Sequence, residues 1–239
     1  MKNHGKMRKT VFLLSCVLLL LSCSEQYNIA GNSTIGNFDG QTVYLKVNCD
    51  GTELACLDSC QMVHGRFSFM GDVDTVMVAM MYMGNERLIP VVLETGDLTV
   101  EMDHCGPKVG GTPYNDKLNT FFRKRDRIEN EQWELDRECL RMMREGKSRE
   151  DINSYYQPRA ERLIRKMEKL ETDFIRDNYD NALGPGCFLW LFGSYPIPIM
   201  TDQIRNIIAG APPCFLNNPY VNNYVRRARR REHDGPPRR

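Results

Sequence analysis

Between Tyr27 and Gly110 apolar and polar residues alternate in short runs. Val43, Leu45 and Val47 share one side of a five-residue run, and Phe67 and Phe69 repeat the pattern. Val76 to Met83, Leu88 to Leu93 and Leu98 to Met102 are further apolar or alternating runs. A period of two belongs to the β-strand, whose side chains point alternately to opposite faces. Turn-forming pairs punctuate the runs: Asp39-Gly40, Asp50-Gly51, His64-Gly65, Gly71-Asp72, Gly84-Asn85 and Gly96-Asp97. Short strands at spacings of about 8–12 residues predict an antiparallel β-sandwich or a partly open barrel over residues 27–111.

The period changes after Gly110-Gly111-Thr112-Pro113. Thr112 suits a helix N-cap, and Pro113 suits the first helical position, where its missing N–H costs nothing. From there Leu118, Phe121, Arg125, Ile128, Gln132, Leu135, Cys139 and Met142 follow a three-four spacing, with Arg125 and Gln132 as polar interruptions. Gly146 ends this stretch, and Ser148 with Asp151 forms a capping-box pattern for a second helix. Leu163, Met167, Leu170 and Phe174 line that helix; Pro158 sits early in it and predicts a late start or a kink. The two predict a long αα-hairpin. Its other faces are dense in Arg, Lys and Glu and read as solvated, while Trp133, in a polar stretch, fits either core or a partner contact. Cys187 to Phe192 predicts a buried helix, Ile204, Ile207 and Ile208 a short one, and Pro219 to Ala228 a last turn or two. Residues 112–228 are thus a helical region, and residues 229–239, Arg-rich with a Pro-Pro pair, are expected to be a disordered basic tail. The fold class is α+β.

The N-terminus changes the picture of where this body resides. Lys2, Lys6, Arg8 and Lys9 precede an apolar run from Val11 to Leu21, the layout of a secretory signal. The run is shorter than the roughly 20 apolar residues of a membrane-spanning helix. Its end, Leu20-Leu21-Ser22-Cys23, resembles the lipobox of bacterial lipoproteins. That resemblance implies removal of residues 1–22, acylation of Cys23, and residues 23–26 as a lipidated tether to the membrane. Leu13-Leu14-Ser15-Cys16 fits the same pattern but leaves too short an apolar run before it. Two lipid signals anchor a protein stably, so acyl chains on Cys23 would hold the chain without help from the polypeptide.

Beyond the signal there are 28 basic and 31 acidic side chains, a formal charge of −3. Arg226 to Arg239 carries seven Arg against Glu232 and Asp234, which leaves −8 on Cys23 to Val225. An exported, acidic body with its basic block at one end is not expected to bind nucleic acid. Cysteines stand at 16, 23, 49, 56, 60, 105, 139, 187 and 214. Cys49, Cys56 and Cys60 are candidate disulfide or thiol residues, since export permits disulfides. Cys56 and Cys60 form C-x3-C, not the C-x-x-C of thiol oxidoreductases. If that segment is extended, both sulfurs lie on one face but too far apart to bond. With His64 these three cysteines match no defensible zinc spacing, so no metal or other cofactor is expected. No nucleophile–base motif stands out, and no enzyme activity is expected. The reading is a non-catalytic envelope protein that binds another envelope protein or a glycan. The alternative is an accessory role in extracytoplasmic thiol–disulfide chemistry.

Several blocks together resemble the domain of unknown function 4369 family of Gram-negative lipoproteins. They are Tyr27-Asn28-Ile29-Ala30-Gly31, Asp39 to Leu45, Leu57 to Gly71, Val92 to Val100 and Gly110-Gly111-Thr112-Pro113-Tyr114-Asn115-Asp116. Asn178 to Gly184 and Phe215 to Val225 extend the similarity into the helices. The resemblance implies a periplasmic or surface-exposed lipoprotein, with the outer membrane as the expected site. Many such proteins continue into a thioredoxin-like domain, and no C-x-x-C is present here to carry its chemistry. The blocks are expected to serve folding.

Overall fold

The computed structural model describes residues 25–48, 54–193 and 197–234. The proposed acylation site Cys23, the lesser candidate Cys16, and Cys49 lie outside the described residues.

Among the described residues eight strands form two four-stranded sheets. The strands are β1 (Gln26–Ser33), β2 (Thr42–Asn48), β3 (Leu54–Gln61), β4 (Arg66–Asp72), β5 (Met77–Met83), β6 (Glu86–Leu93), β7 (Gly96–Asp103) and β8 (Gly106–Gly110). The first sheet has the order β4-β1-β7-β8 and the second β3-β2-β5-β6. Neighbouring strands are antiparallel except β1 and β7, which run parallel from Tyr27↔Gly96 to Ser33↔Met102. The architecture is therefore a sandwich and not a closed barrel. The alternating residues meet between the sheets: Ile29, Phe69, Leu98 and Val100 from one, Val43, Leu45 and Met81 from the other, all but excluded from water.

β3 departs from the alternation. It is an edge strand whose residues are exposed except for the half-buried Cys60. The register slips between Leu45 and Lys46, so that Leu45 faces Asp58 while Lys46 faces Cys56. This bulge inserts Leu57 and reverses the parity of the strand.

Among the described residues six α-helices follow: α1 (Pro113–Arg144), α2 (Arg149–Arg176), α3 (Leu183–Phe192), α4 (Asp202–Ala209), α5 (Pro213–Leu216) and α6 (Pro219–Asp234). α1 has 32 residues, about 48 Å at 1.5 Å per residue. It pairs with α2 in the expected hairpin. Both polar interruptions in its apolar stripe find partners. Arg125 pairs with Glu171 of α2 at 3.1 Å and lies 4.7 Å from the Trp190 ring, and Gln132 donates to the Tyr156 hydroxyl at 3.0 Å. Burial pushes the Glu171 carboxyl up from its ordinary range, with Gln203 and Arg125 opposing that shift. Pro158 sits inside a continuous α2; Arg159 Nη1 donates to the nearby Tyr155 carbonyl at 2.8 Å. Trp133 is 69 % exposed, so it is not core.

α3 covers the outer face of the second sheet. The close approach depends on Gly186, where a Cβ would lie 2.3 Å from Val78 Cγ2 of β5. Arg87 of β6 donates to the Trp190 carbonyl at 3.1 Å. The molecule is thus layered sheet, sheet, helices. One expectation fails: Arg229 to Asp234 is helical, not disordered. Val221, Val225 and Ala228 bury one side of α6, and Glu232 pairs with Arg205 of α4 one turn further on. Arg231 and His233 in the last turn also complement the helix dipole.

Candidate functional site

Two of the sequence blocks meet at the start of α1. Glu94, between β6 and β7, is 7 % exposed. Its Oε1 accepts from Thr112 Oγ1 at 2.6 Å, the Tyr114 N–H at 2.8 Å and the Asn115 N–H at 3.1 Å. The first N–H groups of a helix have no partner within it, and a carboxylate at that end also meets the positive pole of the helix. Thr112 stands at the N-cap of α1 as expected, with Pro113 after it, but its hydroxyl donates to Glu94, which supplies the acceptor for the first N–H groups. Asn115 completes the joint. Its amide accepts from the Val92 N–H at 2.9 Å and donates to the Val92 carbonyl at 2.8 Å, pairing the open edge of β6 as another strand would. Gly111 turns the chain here with φ +97°, and a Cβ on it would lie 2.5 Å from the Asp97 carbonyl oxygen. These residues are partnered mainly with one another and hold the sheet to the helix.

A second block, Asn178 to Gly184, forms the elbow between α2 and α3. Asn178 is fully buried, accepts from Lys117 Nζ at 2.7 Å and donates to the Phe174 carbonyl at 2.7 Å. The backbone folds tightly over it, with the Gly184 N–H donating to the Asn178 carbonyl at 3.1 Å. The elbow thereby presents Tyr179, Asp180 and Asn181 to an open cleft of about 510 Å³. Thr75 to Val78, entering β5, form its opposite wall; Tyr114 of α1 and Tyr220 of α6 add aromatic surface. Tyr114, Tyr179 and Tyr220 are each half-buried. The Tyr179 hydroxyl donates to the Ile207 carbonyl, and burial pushes its phenol up, so it stays neutral. Asp180 is the one carboxylate in the lining, and no Lys, Arg or His lines it. Such a wall accommodates flat apolar faces and hydroxyl or amide groups, and disfavours anions.

The candidate thiols are not brought together. Cys60 stands opposite Val43, whose side chain faces the core, whereas Cys56 stands opposite Lys46 on the outer face. The bulge at Leu57 therefore sends the two sulfurs to opposite faces, not to the single face that an unbroken strand would give. Both are free, and burial pushes the Cys60 thiol up. Cys139 and Cys187 are buried free thiols, and burial raises both, Cys187 strongly. Cys214 is exposed on the wall of the cleft, its sulfur 3.7 Å from the Tyr179 carbonyl oxygen. His64 lies in the tight turn before β4 with φ +51°. Among the described residues no group of three or more His, Cys, Asp or Glu is placed to hold a metal ion. Among them no helix is long and apolar enough to cross a membrane.

The cleft was not foreseen from sequence. Tyr114, the elbow residues and Tyr220 belong to the blocks Gly110 to Asp116, Asn178 to Gly184 and Phe215 to Val225, but these lie far apart in the chain and no local pattern shows that they meet. Residues 27–118 match the family model described as Domain of unknown function (DUF4369). No curated protein matches the chain.

Proposed function

We propose, from the match of residues 27–118 to the DUF4369 family model and from the cleft, that this is a cell-envelope lipoprotein that binds a neutral glycan without catalysis. The observation that supports a binding role is the cleft walled by the half-buried Tyr114, Tyr179 and Tyr220. Pyranose rings offer flat C–H faces to aromatic rings, and their hydroxyls suit carboxylate and amide partners such as Asp180 and Asn181. With Asp180 as its one charged lining group, the cleft favours an uncharged ligand over an anionic one. The Glu94 joint keeps Tyr114 fixed relative to the sheet, so the site is preformed. The experiment is direct titration with uncharged oligosaccharides, in the parent and in a Tyr114→Ala variant.

Anchoring rests on Leu20-Leu21-Ser22-Cys23. Cys23→Ser should release the protein from the membrane fraction and abolish labelling with palmitate, while Cys16→Ser should do neither. A Cys23→Ser protein that still carried labelled palmitate would contradict the assignment.

A second reading, an accessory role in thiol–disulfide chemistry, draws on the exposed Cys214 in the cleft. It requires insulin reduction with dithiothreitol as the electron source, which would also release the mixed disulfide on Cys214, and loss of that turnover with Cys214→Ser; the binding reading expects no turnover above dithiothreitol alone.

A further inference from the structure

α6 carries a charge pattern that neither acylation nor the cleft accounts for. Val221, Val225 and Ala228 fall four and three residues apart and seal one side of the helix against the body. Arg226, Arg227, Arg229, Arg230 and Arg231 occupy the rest of its circumference, and all five are exposed. At 100° per residue they spread over the whole outward arc, so no rotation of a single side chain brings them to a common acid. None of the five forms an ion pair with an acid among the described residues; the nearby Glu232 is taken by Arg205 of α4.

That arrangement carries an internal cost. Arg226 with Arg229 and Arg230, and Arg227 with Arg230 and Arg231, are like charges at i,i+3 and i,i+4, which repel on a helix. The helix dipole offsets part of this at the C-terminal end. Water and salt screen part of the rest, and an anionic surface against the helix would lower it further. The contrast with the remainder is sharp, since Cys23 to Val225 carries −8. On the αα-hairpin, by contrast, basic groups are interspersed with acids, and several pair with them: Lys166 with Glu131, Lys169 with Asp173 and Arg165 with Glu161.

We infer that the outer face of α6 docks on an anionic phospholipid surface through its five arginines. A guanidinium binds phosphate with two parallel N–H donors, and clusters of four to eight basic residues are the usual means of holding a segment to anionic headgroups. An extended, exposed arc suits a plane of many phosphates better than one small anion. Acyl chains would fix where the chain is held, and α6 would set which side of the body lies against the membrane. The inference does not depend on acylation or on a glycan in the cleft.

The test uses the mature chain with Cys23→Ser, so that no lipid can hold it. It is sedimented with vesicles of phosphatidylcholine alone, or of equal parts phosphatidylcholine and phosphatidylglycerol. Binding to the anionic vesicles is expected to be roughly a hundredfold tighter than to the neutral ones, and to vanish at about 0.5 M salt. Replacing Arg226, Arg227, Arg229, Arg230 and Arg231 together by Gln should remove the difference. Gln matches Arg in helix propensity, and an unchanged far-UV spectrum would verify folding. Replacing Lys124, Arg127, Arg162, Arg165 and Lys166 of the hairpin by Gln should leave it intact. No preference for anionic vesicles, or equal losses in the two variants, would overturn the inference. Heparin or polyglutamate binding as tightly as the vesicles would also overturn it, pointing instead to an acidic macromolecule.

Discussion

Replacing Glu94 by alanine is expected to lower the unfolding free energy by about 3–5 kcal/mol, because several buried donors lose their common acceptor at about 1–3 kcal/mol each. The substitution removes the acceptor of the Thr112 hydroxyl and of the Tyr114 and Asn115 N–H groups. Thr112 and Asn115 are 4 % and 0 % exposed, so water is poorly placed to replace the carboxylate. Glu94→Gln keeps an oxygen at the site and should cost about half as much, losing the charge at the helix terminus. Urea titration of the parent and both variants measures this. An alanine variant within 1 kcal/mol of the parent would show that the joint does not hold the sheet to α1.

Phe188→Ala is the second large change, at about 3–5 kcal/mol. Phe188 is 1 % exposed, and its ring lies 5.0 Å from Phe192, 5.9 Å from Phe215 and 5.4 Å from Tyr224. This cluster ties α3 to α5 and α6. Truncation opens a cavity on the side that seats α6, so the variant should also lose protection of the α6 amides from hydrogen exchange before the sheets lose theirs. Loss of protection everywhere at once would show instead that the helices and the sandwich unfold as one cooperative unit.

Much of the sandwich was legible because its core residues alternate. β2, β4 and β7 carry their inward side chains at every second position, and the chemistry of the intervening turns sets their limits. β3 was not legible, since Leu54 to Gln61 faces solvent at an edge and buries no alternating set. The same exposure hid the bulge at Leu57, and with it the divergence of Cys56 and Cys60. The hairpin was read from its apolar period, including Arg125 and Gln132, whose partners 46 and 24 residues away no local pattern displays. Glu94 escaped notice as a cap for the same reason, lying 18 residues before Thr112. The Arg-rich segment was misjudged from composition: charge and Pro-Pro suggested disorder, but Val221, Val225 and Ala228 supplied enough buried surface to carry the helix on to Asp234. The cleft is a product of tertiary structure, as Tyr114, Tyr179 and Tyr220 stand on separate elements.

The most direct measurement is isothermal titration of the Cys23→Ser protein with uncharged oligosaccharides such as cellotetraose, maltotetraose and chitotetraose, in parallel with the Tyr114→Ala variant. Tyr114 packs against the main core but also lines the cleft, so the variant is first checked for an unaltered far-UV spectrum. The account predicts that at least one of these sugars binds one to one, and that Tyr114→Ala weakens it about tenfold or more, equivalent to about 1.4 kcal/mol of lost stacking. Failure of every neutral oligosaccharide to bind, or a sugar bound equally well without the Tyr114 ring, would contradict it.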